Sequence, residues 1–163
     1  MVSFAGFHID GCYISGVNKQ SEGRSRTTKL VDVGWVSIPS FSENNHHGIL
    51  RVFESAAIPF HLQRIFSVAA DAGGLRGEHA HRVCSQLLTC VTGEIEVTCD
   101  DGKDKIIHLL TSSSDALLIP PGIWAVQNYL IDQSTLIVFC DQSFSESEYI
   151  RSYSDFLNWK YAS

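Results

Sequence analysis

At 163 residues, with 44% hydrophobic and 18% charged side chains, the chain has the length of one ordinary domain and a globular rather than a disordered composition. A net charge of −6 argues against broad binding to nucleic acid or to an anionic membrane, since both need a basic face. No apolar run approaches the roughly 18 residues of a membrane span, and no basic-then-apolar leader opens the chain. The expectation is a cytoplasmic protein with neither nucleic-acid nor membrane partners.

Taken in order, residues 1–33 are the least regular part. "FAGFHIDGCYIS" (4–15) is β-prone, and the following "SGVNKQSEGRSRTTK" is polar and aperiodic, which reads as an arm. An apolar stretch joined by such an arm suits a strand exchanged with a second copy, because open sheet edges need covering; a homodimer is expected. From residue 34 to 163 the chain reads as one barrel. Short β-prone runs, "WVSIPSF", "GILRVFE", "HLQRIFSVAA", "QLLTCV", "EIEVTCD", "KDKIIHLLT", "ALLIP", "AVQNYLI" and "STLIVFCDQ", recur with turn residues between them, the pattern of an antiparallel sandwich or barrel. "CDDGKD" is a tight hairpin with Gly102 free to take positive φ. Near the end, Ser145 with Glu148 three residues later forms a capping-box pattern, and Tyr149, Ile150, Tyr153, Phe156, Leu157 and Trp159 follow at largely helical spacing. A C-terminal helix or pair of helical turns on the barrel exterior is predicted.

The five cysteines (Cys12, Cys84, Cys90, Cys99, Cys140) are odd in number and form no CxxC pair, which disfavours a disulfide framework or zinc knuckle. Those in apolar runs are read as small core residues.

Chemistry concentrates in "GGLRGEHAHRVCSQLLTCVTGEIEV" (73–97). Two histidines at i and i+2 of a strand face the same side, so His79 and His81 share one pocket. The spacing Gly73, His79, His81, Gln86, Gly93 matches the first cupin motif, with Gln where Glu is usual. Pro120–Pro121–Gly122 opens the second motif, but Ala125 occupies its histidine position. Two good ligands of four are too few for tight binding of a mid-row metal, so a metal-free pair and no cofactor are expected. Unmetallated imidazoles titrate near neutral pH and suit proton transfer.

The segments "RIFSVAADAGGLRGEHAHRVCSQLLTCVTGEIEVTCDDGK", "LLIPPGIWAVQNY" and "SFSESEYIRSYSDFLNW" together resemble the cupin-fold sugar nucleotide 3,4-ketoisomerases, the group of the WxcM-like C-terminal domains, over about residues 48–160. The resemblance implies an all-β cupin (jelly-roll) barrel with a short C-terminal helix. It also implies a homodimer, and a metal-free isomerase that moves a keto group between C4 and C3 of a dTDP-linked 4-keto-6-deoxyhexose through an enediol. His79 and His81 are then the catalytic pair. Arg64, Arg76, Gln86, Trp124 and Ser67 are candidates for binding the nucleotide sugar: the arginines as charge-assisted forks, Gln86 as a buried amide wanting partners, Trp124 as a stacking ring. A solvated surface suits either arginine equally well, and a core position suits Trp124.

One departure stands out. Family members carry tyrosines on the strand before the histidine loop, and this chain has Ser67 and Ala69 there. Tyr129 is a candidate for supplying the phenol from elsewhere; a water in its place, or an altered or lost activity, are the other readings. Two further function classes stay open, a metal-dependent cupin oxygenase or isomerase and a non-catalytic sugar-binding module.

Overall fold

The computed structural model describes residues 26–42 and 49–162; the expected exchanged segment, residues 4–15, lies outside them. A short 3-10 turn (Leu30–Asp32) precedes β1 (Gly34–Val36), β2 (Ser40–Ser42), β3 (Ile49–Arg51), β4 (Arg64–Ala70), β5 (Leu75–His81), β6 (Gln86–Thr92), β7 (Glu94–Asp100), β8 (Lys105–Thr111), β9 (Ala116–Ile119), β10 (Trp124–Tyr129), β11 (Ser134–Cys140), β12 (Tyr149–Ile150) and helix α1 (Tyr153–Tyr161). The strands form two five-stranded antiparallel sheets, ordered β1-β9-β6-β11-β4 and β12-β5-β10-β7-β8, with β2 and β3 as a separate pair. This is the predicted cupin barrel.

Alternation along each strand builds three apolar layers. Leu88 and Cys90 of β6, Val97 and Cys99 of β7, and Leu136 and Val138 of β11 fill the space between the sheets. Leu87 and Phe139 point the other way and pack with Ile38 and Ile58 outside the first sheet. Ala80, Trp124 and Ile150 pack with Phe156 of α1 outside the second. The predicted hairpin joins β7 to β8. Gly102 there has φ +91°, and the Asp101 carboxylate accepts the Lys103 and Asp104 amides, both at 3.0 Å.

The C-terminal segment departs from expectation. Only a 3-10 turn, Glu146–Glu148, follows Ser145, whose side chain makes no capping bond. Glu148 instead accepts the backbone amides of Val83 and Cys84 at 3.0 and 3.1 Å, and the chain then extends as β12 along β5. The loop between β5 and β6 would otherwise leave two amides without acceptors. Extension also sends Ile150 into the outer apolar layer while Tyr149 faces the histidines, which one helical turn would not do. The helix starts at Tyr153, where the Ser152 hydroxyl accepts the Asp155 amide. Buried Lys160 ties α1 down by donating to the carbonyls of Thr28 and Gly122, and the Gly122 amide donates to the His81 carbonyl at 2.8 Å. Among the described residues no helix is long and apolar enough to cross a membrane.

Candidate active site

The histidines owe their placement to a bulge. On β10, Ala125 pairs with His79 and Val126 with Gly77, so Glu78 is an extra residue on β5. The bulge needs consecutive left-handed residues, Gly77 at φ +82° and Glu78 at φ +53°. It leaves the Gly77 carbonyl 2.8 Å from His79 Nδ1. The two Nε2 atoms of His79 and His81 are 3.2 Å apart, with the rings nearly perpendicular at 84°.

These bonds fix the tautomers. A carbonyl only accepts, so His79 carries its proton on Nδ1 and its neutral ring has a lone pair at Nε2. His81 must then donate from Nε2. Burial pushes the pKa of both rings down, and the Arg64 and Arg151 charges push the same way. His81, also beside His79, falls to about 3, whereas the Gly77 bond works against the shift at His79. Two neutral imidazoles thus meet with one lone pair and one N–H. Nδ1 of His81 is buried and, among the described residues, unpartnered.

A phenol stands over the pair. Tyr149 pairs with His81 across β12 and β5, its ring centroid 4.9 Å from His79 and 4.4 Å from His81. Its oxygen accepts from Arg64 Nη2 at 3.3 Å, which leaves its own O–H free to donate. The Arg151 guanidinium lies over the Tyr149 ring, 4.4 Å from its centroid, and pairs with Glu146 through 2.7 and 3.0 Å bonds. Arg64 lies near the rings of Phe66 and Phe144, at 5.2 and 5.7 Å.

Of the residues singled out from sequence, the structure brings His79, His81, Arg64 and Gln86 together. Gln86 is buried and points its amide at Cys140 Sγ, 3.8 Å away. Arg76 is exposed and pairs with Gln127 just beyond the bulge. Two candidates go elsewhere. Ser67 sits on the exposed outer side of β4, because Phe66 and Val68 take the inward positions. Trp124 points outward with Ala80 and packs edge-on to Tyr153 at 5.3 Å beneath α1, so it is a core ring and not a stacking platform. Tyr129 is enclosed in the core, where its hydroxyl donates to Gln127 at 3.2 Å and burial pushes its pKa up to about 12.

Sequence reasoning missed Tyr149 and the contacts of Cys140 Sγ with Arg64 and Gln86. Alternation of Tyr149, Ile150 and Arg151 was the available signal, too short to outweigh helical spacing. Ala125, in the position of the usual fourth cupin ligand, pairs with His79. Among the described residues no group of three or more His, Cys, Asp or Glu is arranged to hold a metal. A cleft of about 800 Å³ lies between Phe60, His61 and Gln63 on one side and the 141–148 loop on the other, and neither His79 nor His81 lines it. It meets the site at Phe144, whose ring is 5.6 Å from that of Tyr149.

A family model described as FdtA: WxcM-like, C-terminal matches residues 31–161. The chain belongs to this family. A TDP-4-oxo-6-deoxy-alpha-D-glucose-3,4-oxoisomerase of Aneurinibacillus thermoaerophilus is 31% identical over 111 residues, 66% of this chain and 78% of the relative. A 3,4-ketoisomerase structure from Helicobacter canadensis superimposes with TM-score 0.72 at 27% identity, covering 79% of this chain and 97% of that one. WlaRA, a TDP-fucose-3,4-ketoisomerase from Campylobacter jejuni, gives 0.70 at 26% identity, with 79% and 96% covered.

Proposed function

We propose that the protein is a sugar nucleotide 3,4-ketoisomerase acting on a TDP-linked 4-keto-6-deoxyhexose, and that it works by proton transfer at His79 and His81 without a metal. The observation that carries this reading is the pair of neutral imidazoles 3.2 Å apart, one offering a lone pair and the other an N–H. The family relatives, named as 3,4-ketoisomerases, supply the reaction class and the TDP-sugar.

A substrate that displaces the Nε2 contact meets a base and an acid side by side. His79 Nε2 takes the proton from C3; the C–H electron pair forms the C3=C4 double bond. The C4 oxygen takes a proton from a donor beside it, giving the enediol. His81 suits that electrophilic role because burial keeps it neutral with its N–H in place, and the Tyr149 hydroxyl is a second donor. His79 suits the base because the Gly77 carbonyl supports its cation. In the second half, the O3–H proton returns to the donor as C3=O forms, and His79 delivers its proton to C4. One base serving both carbons moves hydrogen on one face of the ring. The cleft at Phe144 is in the size range of a ligand pocket.

The test is solvent exchange. In D2O with a TDP-4-keto-6-deoxyhexose, product and recovered substrate should gain deuterium at the carbon beside the ketone, and His79→Asn or His81→Asn should cut turnover by roughly two to four orders of magnitude. Tight binding without deuterium uptake would make the protein a sugar-nucleotide binder instead.

A further inference from the structure

Arg64 lacks a carboxylate partner: neither ion pair among the described residues involves it. Its Nη2 is 3.5 Å from Cys140 Sγ and 3.3 Å from the Tyr149 oxygen, so one nitrogen links the sulfur to the phenol. Cys140 is fully buried at the end of β11 and pairs with Gln86 in register. Gln86 aims its amide N–H at the same sulfur. Buried Cys84 is a third neighbour, while its own thiol proton goes to the Ser85 carbonyl at 3.4 Å. A sulfur met by two N–H donors, one of them a guanidinium, is arranged as an acceptor and not as the small apolar filler that its strand position suggests.

We propose that Cys140 is a positioning residue for the isomerisation, its sulfur serving as the anionic anchor that fixes Arg64, and through Arg64 the Tyr149 phenol, over the His79–His81 pair. The inference rests on the ketoisomerase reading for its kinetic consequence but not for its physical one. Neighbouring Cys84, together with the Arg64 and Gln86 donors that geometry places on the sulfur, holds the Cys140 thiol below its ordinary range against the opposing effect of burial. The thiolate form balances a cation whose Nε is buried and, among the described residues, unpartnered. Without the sulfur charge, Arg64 has, among the described residues, the Tyr149 oxygen and two aromatic faces, and its fork is free to swing toward the cleft at Phe144. Cys140 itself transfers no proton to or from the sugar.

The thiolate is read directly from its absorbance near 240 nm during a pH titration of the whole protein. One thiolate should ionise well below the ordinary thiol value of about 8.5. The signal should vanish in Cys140→Ser and move to higher pH in Arg64→Gln. With a TDP-4-keto-6-deoxyhexose, Cys140→Ser and Cys140→Ala should lose on the order of 10²-fold in kcat with KM nearly unchanged, and the acid limb of the wild-type pH–rate profile should shift with the thiolate. Absence of any thiolate signal below pH 8 in the wild type overturns the proposal. So does a Cys140→Ser enzyme with wild-type kcat and pH profile. The near-isosteric serine guards against a folding artefact in alanine. If the wild type titrates as expected yet turns over no keto-sugar, the anchor stands and the ketoisomerase reading fails.

Discussion

The bulge that aims His79 can be tested with three glycines that differ in one respect at a time. Gly34 has ordinary φ and no atom within 4 Å of an added Cβ; Gly34→Ala should leave stability within about 0.5 kcal/mol. Gly73 is equally open but sits at φ +81°, so Gly73→Ala incurs only the left-handed penalty, about 1–2 kcal/mol. Gly77 combines φ +82° with a Cβ position 2.7 Å from the Ala125 carbonyl oxygen. That oxygen cannot retreat freely, because β10 is paired on both sides, to β5 and to β7. Overpacking of this kind adds about 1–3 kcal/mol, for a total of about 2–5. At about 2–4 °C per kcal/mol for a chain of this size, Gly73→Ala should lower Tm by about 2–8 °C and Gly77→Ala by about 4–20 °C. Gly77→Ala should also lose most turnover, since the carbonyl holding His79 Nδ1 moves with it. The assay is thermal unfolding by circular dichroism beside steady-state turnover. A Gly77→Ala protein melting no lower than Gly73→Ala, with full activity, would refute the bulge argument.

Tyr149→Phe removes a hydroxyl and keeps the ring, so it should fold normally by circular dichroism and lose about 10²–10⁴-fold in turnover if the phenol is a proton donor. The histidines also predict a pH dependence of stability. His81 is held near 3 in the folded state against an ordinary value of about 6.5. Between those values the unfolded chain binds the extra proton, so stability rises with pH across this window and is lost as pH falls from about 6.5 toward 3. The full span is on the order of 4–5 kcal/mol, and His79 adds in the same direction; urea titrations at pH 7 and pH 5 should show the loss, and His81→Asn should flatten it. Chelator treatment should change neither Tm nor turnover, whereas the double change Gln86→Glu with Ala125→His should create nickel or zinc binding measurable by calorimetry. A wild-type protein that melts lower after chelation and recovers with metal would reverse the metal-free reading.

Much of the barrel was legible because its signals are local. Alternating apolar positions in β6, β7 and β11, the Asp–Asp–Gly hairpin, and the His79–His81 spacing each depend on neighbours a few residues away. The site's remaining parts were hidden because they depend on pairings across the chain. Arg64 and Cys140 are paired residues on β4 and β11, and nothing near either in sequence announces the other. Tyr149 faces His81 only because a two-residue strand docks on β5, a register that periodicity cannot reveal. Trp124, suited by its sequence to either a stacking or a core position, takes the core one for a related reason. The bulge changes which β5 residues face inward, but the Trp124–Ala80 pair lies beyond it and keeps the outward side.

The missing tyrosines of β4 and the presence of Tyr149 are connected by the way the second sheet is closed. With Ser67 turned outward and Phe66 turned inward, β4 brings a guanidinium to the pocket through Arg64 and no phenol. The phenol comes instead from β12, which is held by its pairing to β5 and by Ile150 in the layer under α1. The same helix is pinned through Lys160 to the Gly122 carbonyl, while the Gly122 amide holds the His81 backbone. Tyr149 and His81 are therefore fixed from the same two sources, the β5–β12 ladder and the helix with its Pro–Pro–Gly turn. Arg64 reaches the phenol from the opposite sheet. Its grip on the phenol oxygen joins the two sheets at the pocket, which is why a buried sulfur on β11, next to Arg64 and otherwise remote from the histidines in sequence, bears on how the pair is used.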